Sequence, residues 1–218
     1  GEMAEAFSGF RYVPLEIGAG EWPARFTGVV FSNEFFDALP VDVAARRGGV
    51  FLQMLVGWRE GRFAWVEGPP VPDEQAEYLA RFGAAVEEGA WVEINLDALR
   101  WLDEISAHLE RGWVFTIDYG YTARELAGFP RGTLMSYRRH AAGEDVLADP
   151  GERDITAHVC FTALQDRGAS LGLETVRFEN LSRTLLDAGE PDGFAEALAA
   201  ASPHEALRRR LQLKTLLA

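Results

Sequence analysis

The chain is short of the residues that build covalent staples and metal sites. One cysteine, Cys160, stands in 218 residues, which excludes an intrachain disulfide framework and any multi-cysteine zinc site. The four histidines are scattered, without the spacing of zinc ligands, so no metal is expected. No apolar run approaches the ~20 residues of a membrane span. The opening Gly1-Glu2-Met3-Ala4-Glu5 lacks the basic-then-apolar order of a signal peptide. Basic residues are also scarce, 21 Lys and Arg against 34 Asp and Glu, leaving a net charge of −13. Phosphate neutralisation needs a basic face, so general nucleic-acid binding is not expected. The acid surplus is read first as serving solubility, and second as suiting a basic protein partner. No repeat, low-complexity tract or dividing linker appears, and we read residues 1–218 as a single domain.

What is present has the balance of an ordinary globular domain, 48% hydrophobic and 25% charged. A chain this long buries roughly 70% of its unfolded surface without a staple. Short apolar runs alternate with helical patterns, the signature of an α/β fold whose mostly parallel sheet is joined by crossover helices. The runs read as buried strands are Tyr12-Val13-Pro14-Leu15, Gly28-Val29-Val30-Phe31 and Trp113-Val114-Phe115-Thr116-Ile117. Between them, Phe51–Val56 and Arg62–Val66 flank Glu60-Gly61 as a hairpin. This is an antiparallel insertion over about 42–90 that the prolines of Gly68–Pro72 should end. Helices are expected from an Asp73 cap through Val86, from Asp97 to Arg111 with Gly112 as the stop, from Asp154 or Thr156 to near Gly168, and from Pro203 to Leu217. Arg208-Arg209-Arg210 reads as the solvated face of the last helix.

Polar residues concentrate just beyond two of these strands. Ser32-Asn33-Glu34-Phe35-Phe36-Asp37 follows Val29-Val30-Phe31, and ligands of open parallel sheets bind outside the carboxyl ends of strands. Glu34 can hold a cationic group by charge-assisted hydrogen bonds. Phe35 and Phe36 can stack on a planar or sulfonium-bearing ligand. The alternative makes Ser32 or Asn33 a helix cap, Glu34 and Asp37 first-turn charges, and the phenylalanines core. Asp118-Tyr119-Gly120 occupies the matching place after Ile117, with Gly120 letting backbone approach a ligand closely and Asp118 either accepting from a substrate or forming a turn. His158 titrates near neutral pH but stands alone on its stretch. Glu16-Ile17-Gly18-Ala19-Gly20 resembles half of a nucleotide loop, yet Asn33 follows too soon for the ~30 residues of a βαβ unit. It is better read as a turn, and the absence of a full Gly-x-Gly-x-x-Gly leaves no basis for a nicotinamide-dependent oxidoreductase.

A series of short motifs then occurs in order: Asn33-Glu34-Phe35-Phe36-Asp37-Ala38-Leu39-Pro40-Val41, Glu93-Ile94-Asn95, Asp118-Tyr119-Gly120-Tyr121, Arg131-Gly132-Thr133-Leu134, Asp149-Pro150-Gly151, Asp154-Ile155-Thr156-Ala157-His158-Val159 and Leu213-Lys214-Thr215-Leu216. From about Thr27 to Leu217 the chain resembles the MidA family of S-adenosylmethionine-dependent methyltransferases, whose mitochondrial member assists assembly of respiratory complex I. The resemblance implies a Rossmann-like, seven-stranded class I methyltransferase fold with an inserted hairpin region. It implies S-adenosylmethionine as cofactor and methyl transfer to an arginine of a protein substrate, a complex I subunit or its bacterial counterpart. Within it, Glu34, Asp37 and Asn33 are the expected catalytic residues. Glu16, Ser32, Asn33 and Phe35 are expected at the cofactor, and Asp118, Tyr119 and His158 at the substrate. The family's glycine-rich loop lies well upstream of the Asn-Glu-Phe-Phe-Asp motif, so the domain is expected to be incomplete at its amino-terminal end, with Tyr12–Glu16 as the second strand and Glu16 its ribose acceptor. A non-catalytic assembly factor that keeps the fold is the alternative function. A homodimer, and a bacterial cytoplasm or mitochondrial matrix, complete the expectations.

Overall fold

The computed structural model describes residues 9–17, 21–138, 141–143, 145–189, 191, 193–199 and 202–217. Gly18-Ala19-Gly20 and the basic tail at Arg139-His140 therefore lie outside the described residues. Two compact units divide the chain, Gly1–Leu173 and Glu174–Ala218.

In the first unit, β1 (Phe26–Asn33) lies parallel to β6 (Leu109–Ile117), with Val29 opposite Trp113, Phe31 opposite Phe115 and Asn33 opposite Ile117. Both strands are rich in β-branched and aromatic residues, but they are not the buried strands expected: Val29, Phe31, Trp113 and Phe115 are exposed. Between them in the chain comes an antiparallel sheet in the order β4-β3-β2-β5, built from β2 (Asp42–Arg47), β3 (Val50–Arg59), β4 (Arg62–Pro70) and β5 (Trp91–Ile94). The β3–β4 hairpin turns at Glu60-Gly61 as its sequence predicts. It does not stop before the prolines. β4 runs through Pro70, and Val71 N–H still donates to Phe51 O at 3.0 Å. An edge strand tolerates proline because one side of its backbone has no ladder to feed.

Helix α1 (Asp73–Phe82) follows Pro72, with Asp73 in the first turn and no side-chain cap, so Asp73 acts through the helix dipole. It ends at Gly83, short of Val86, which is nonetheless buried. Helix α2 (Leu96–His108) is capped by Asn95, whose side chain accepts from Ala98 N–H at 2.9 Å. From Leu109 the chain already belongs to β6, so Gly112 stands inside that strand opposite Gly28 and is no helix stop. One core joins the antiparallel sheet to the helices through Ala44, Tyr78, Leu79, Phe82, Val92 and Ile94, reaching Tyr121, Cys160 and Ala163. A second gathers Phe36, Leu39, Ala98 and Val159.

Beyond β6 come β7 (Gly120–Tyr121), a 3-10 turn at Glu125–Gly128, β8 (Met135–Arg138), β9 (Ala141–Gly143), β10 (Asp154–Thr156), β11 (Val159–Cys160) and α3 (Phe161–Ser170). The helix expected from Asp154 starts only at Phe161, because Asp154–Thr156 pairs antiparallel with Met135–Tyr137 and Val159-Cys160 pairs parallel with Gly120-Tyr121. Gly120 is close to backbone rather than to a ligand: a Cβ there would lie 2.3 Å from Val159 O.

Tyr12–Leu15 is not a strand. Residues 11–15 make no ladder, and Tyr12 and Val13 are exposed. Pro14 has no N–H to give one. The α/β class holds, but the described strands fall into sheets of two, three, two and four. Parallel pairing is confined to β1–β6 and β7–β11. A mostly parallel sheet of seven is not assembled among the described residues.

The second unit holds α4 (Leu181–Gly189), α5 (Ala195–Leu198) and α6 (Pro203–Leu217). Arg177 bridges Glu179 and Asp187 at 3.1 and 3.2 Å, and Arg209 pairs with Glu205 at 2.6 Å. The helix α6 has the bounds its sequence predicts, with Pro203 at its start. Arg208 and Arg210 are exposed on it. No helix among the described residues is long and apolar enough to cross a membrane.

Candidate functional site

The parallel pair fixes the geometry of the site. Glu34 N–H donates to Ile117 O at 2.9 Å, carrying the β1–β6 ladder one step past the strand ends. No helix follows. Residues 34–40 form an irregular loop, so neither Ser32 nor Asn33 caps anything there. Glu34 is in the left-handed region at φ 49°, a conformation that costs a non-glycine residue of order 1–3 kcal/mol and clusters at functional sites. Asp118 holds this loop. Its Oδ2 accepts from Phe36 N–H at 2.9 Å and Phe35 N–H at 3.3 Å, and its Oδ1 from Tyr119 N–H at 3.0 Å. From the other side, Asn95 donates to Phe36 O at 3.0 Å.

Three carboxyl groups converge as a result. Asp37 is buried at 5% exposure and its Oδ1 has no hydrogen-bond partner. Burial, and then the charge of Glu34, raise its pKa. Burial, and then Asp37, push Asp118 up to about 6. The Tyr119 hydroxyl donates to Glu34 Oε1 at 3.4 Å, and its pKa is raised first by Glu34's charge. His158 joins from the β10–β11 connection, where Ala157 N–H donates to Asp37 O at 2.9 Å. Burial lowers the His158 pKa against the pull of Asp37, and its Nδ1 is a second buried atom without a partner. No Arg or Lys pairs with Glu34, Asp37 or Asp118 among the described residues. Like charges gathered without a counter-ion are costly, and they suit a ligand that brings the positive charge. Among the described residues, no three His, Cys, Asp or Glu side chains are placed to hold a metal ion.

The loop thus brings together Asn33, Glu34, Asp37, Asp118, Tyr119 and His158. Ser32 Oγ donates to Thr116 Oγ1 at 3.1 Å across the strand ends. Phe35 packs edge-on against Trp101 and Phe36, with centroids 4.9 and 5.1 Å apart. Glu16 is exposed and apart from this group in the contacts described. Of two cavities described in the fold, neither is lined by Glu34, Asp37, Asp118 or His158. One, of about 350 Å³, begins at Pro40 at the far end of the loop and includes Asp42, Gln75, Asp97 and Arg100. The other, of about 490 Å³, is walled by Trp65, Trp91, Leu134 and Val146, with Arg131 and Asp145 beside it.

Glu93 and Thr133 were legible only as members of short motifs, with no role attached. Glu93 is 3% exposed and is a full acceptor: Oε1 takes Thr133 N–H at 2.8 Å and Leu134 N–H at 3.3 Å, and Oε2 takes the Thr133 hydroxyl at 3.0 Å. Nothing in their spacing marks that contact, which spans 40 positions.

Residues 14–179 match the family described as "Putative S-adenosyl-L-methionine-dependent methyltransferase". The mitochondrial protein arginine methyltransferase NDUFAF7 of Rattus norvegicus is 32% identical over 188 residues, 76% of this chain and 40% of that protein. A COG1565 superfamily member from Burkholderia thailandensis, solved bound to S-adenosyl-homocysteine, superposes with a TM-score of 0.79 at 33% identity, covering 91% of this chain and 51% of that one. A native structure of a COG1565 superfamily protein from the same organism gives 0.80 at 32%, covering 91% and 53%. The chain spans about half the length of these relatives, or less.

Proposed function

The chain belongs to the MidA-like family of S-adenosyl-L-methionine-dependent methyltransferases, and from that premise we propose that it methylates an arginine of a protein substrate. The observation that carries this reading is the set of three carboxyl groups, Glu34, Asp37 and Asp118, gathered at the β1–β6 strand ends without a cationic partner. A guanidinium matches them in charge, and its planar fork matches a carboxylate in shape. In this reading β1 and β6 belong to a seven-stranded sheet, and the β2–β5 region is an insertion within one domain.

The cofactor fits the same place by charge, since a sulfonium is a cation and the charged groups of the loop are carboxylates. Ser32, Asn33 and Phe35 at the end of β1 would hold it, with Glu16 as the ribose acceptor. When bound, S-adenosylmethionine supplies an already activated methyl group. The residues of the chain then have to position and neutralise. Glu34 holds the guanidinium and orients the attacking nitrogen. Asp118 and Tyr119 line its approach, and His158 closes the far wall. Exchanging an N–H hydrogen for methyl releases one proton, and Asp37, with its free Oδ1, accepts it.

The proposed target is a respiratory complex I subunit or its bacterial counterpart, met in a mitochondrial matrix or a bacterial cytoplasm, with the enzyme acting as a homodimer. The test is a split between binding and transfer. Wild-type protein should bind S-adenosylmethionine by calorimetry and label an arginine peptide. Glu34→Gln should keep the cofactor affinity and lose transfer. Unchanged turnover in Glu34→Gln removes Glu34 from its role. A wild-type protein silent at saturating cofactor has only an assembly function.

A further inference from the structure

Two buried polar atoms of the site lack partners, Asp37 Oδ1 and His158 Nδ1, and native folds rarely leave such atoms unpaired without a reason. One belongs to the acid loop and the other to the β10–β11 connection, so something must set their separation. The backbone N–H of His158 donates to Thr133 Oγ1 at 2.9 Å. That hydroxyl in turn donates to Glu93 Oε2 at 3.0 Å, while Glu93 Oε1 takes the N–H of Thr133 at 2.8 Å. The Thr133 hydroxyl therefore gives one bond and receives one. Gly132 lets the loop come this close: it sits at φ 77°, and a Cβ there would stand 2.2 Å from Glu93 Oε1.

The geometry points to Glu93 and Thr133 as positioning residues, which set His158 beside Asp37 through a two-bond chain. This rests on the arginine reading for the reaction that the placement serves, though not for the chain of bonds itself. Glu93 sits on β5 in the antiparallel sheet, and His158 is beside the carboxyl ends of the parallel pair. The Arg131–Leu134 loop is thus a second link between the two sheets at the site, beside the Asn95–Phe36 bond. Burial favours the neutral imidazole. The charged groups facing His158 are Asp37, with Glu34 and Asp118 behind it.

Thr133→Val keeps the shape and deletes both bonds, and Thr133→Ser restores the hydroxyl. In the intact protein, NMR titration of the His158 ring needs no substrate. Thr133→Val should displace its resonances and midpoint, and Thr133→Ser should bring them back. A Thr133→Val titration that superposes on wild type overturns the proposal. With an arginine peptide, Thr133→Val should lower kcat on the order of 100-fold, as an ångström-scale misplacement does, with cofactor affinity unchanged and with Thr133→Ser restoring kcat. Full kcat in Thr133→Val also overturns it. A wild-type protein that leaves the peptide unmethylated refutes the arginine reading alone, and the ring titration still decides the positioning role. Glu93→Gln, whose amide cannot accept at both positions, should reproduce the Thr133→Val shift of the His158 ring if it folds.

Discussion

Two regions of this molecule bury carboxyl groups, and they treat them oppositely. Glu93, in the antiparallel sheet, has every contact a carboxylate wants: two N–H donors and a hydroxyl. Asp37, in the loop beyond the parallel pair, is as buried and keeps one oxygen unpaired, with Glu34 close enough to raise its pKa. Burial raises the pKa of both. The difference lies in what the fold supplies afterwards. Where a carboxylate holds backbone together it is satisfied, and in the loop proposed to bind a cation it is left wanting, a pattern that functional sites share.

The largest effect that can break this contrast is on packing. Phe36 is 1% exposed between Leu39, Ala98 and Val159, and its N–H is bonded to Asp118. Phe36→Ala should cost about 3–5 kcal/mol in chemical denaturation and release the loop with it. If stability falls by less than 1 kcal/mol, the acid loop is not anchored to the core as described. Glu34→Gln comes next. It should lower kcat by roughly 100- to 1000-fold with a melting temperature close to wild type, because Glu34 is exposed and is strained rather than stabilising. In steady-state assays, kcat/KM should fall as pH drops through about 6, where Asp118 gains its proton and the site loses a negative charge. kcat, which reports the complex, should fall only at lower pH, since a bound cation holds the carboxylate ionised. The sign for stability is the reverse. A carboxyl whose folded pKa is raised favours the protonated fold, so this group's contribution is greatest in acid and is lost as pH rises through about 6.

On the satisfied side, Gly132→Ala should destabilise by about 1–3 kcal/mol, the cost of a strained left-handed residue, with the added methyl forced onto Glu93 Oε1. Thermal melts that leave it within 0.5 kcal/mol of wild type would show the loop to be slack. The smallest effect is expected at the surface. Arg81→Ala removes an exposed pair with Asp166 and should move stability by less than about 1 kcal/mol.

The contrast also explains what the sequence could show. Strands such as Val29–Phe31 and the Glu60-Gly61 hairpin announce themselves through local composition, as does α6 from Pro203. So did the polar loop after Phe31, because charge directly behind an apolar run is a local signal. Asp154–Thr156 carries helix-capping residues and yet pairs as a strand with Met135–Tyr137, a partner some 20 residues away that no local preference reveals. Tyr12–Leu15 fails in the opposite sense, being apolar enough for a strand but without a partner among the described residues. Of the site, the charges were legible and the wiring was not. Glu93, Thr133 and His158 come together only through tertiary packing, over separations of 40 and 25 positions.

The central claim is that the Glu34–Asp37–Asp118 group awaits a cation. Carboxyl-carbon NMR of Asp118 tests it most directly, with the protein titrated in the presence and absence of an arginine peptide and S-adenosyl-homocysteine. The account predicts a midpoint near 6 in the free protein that drops toward the ordinary aspartate range when both ligands are added, while the Glu93 resonance stays in place. An Asp118 midpoint unmoved by saturating peptide would contradict it.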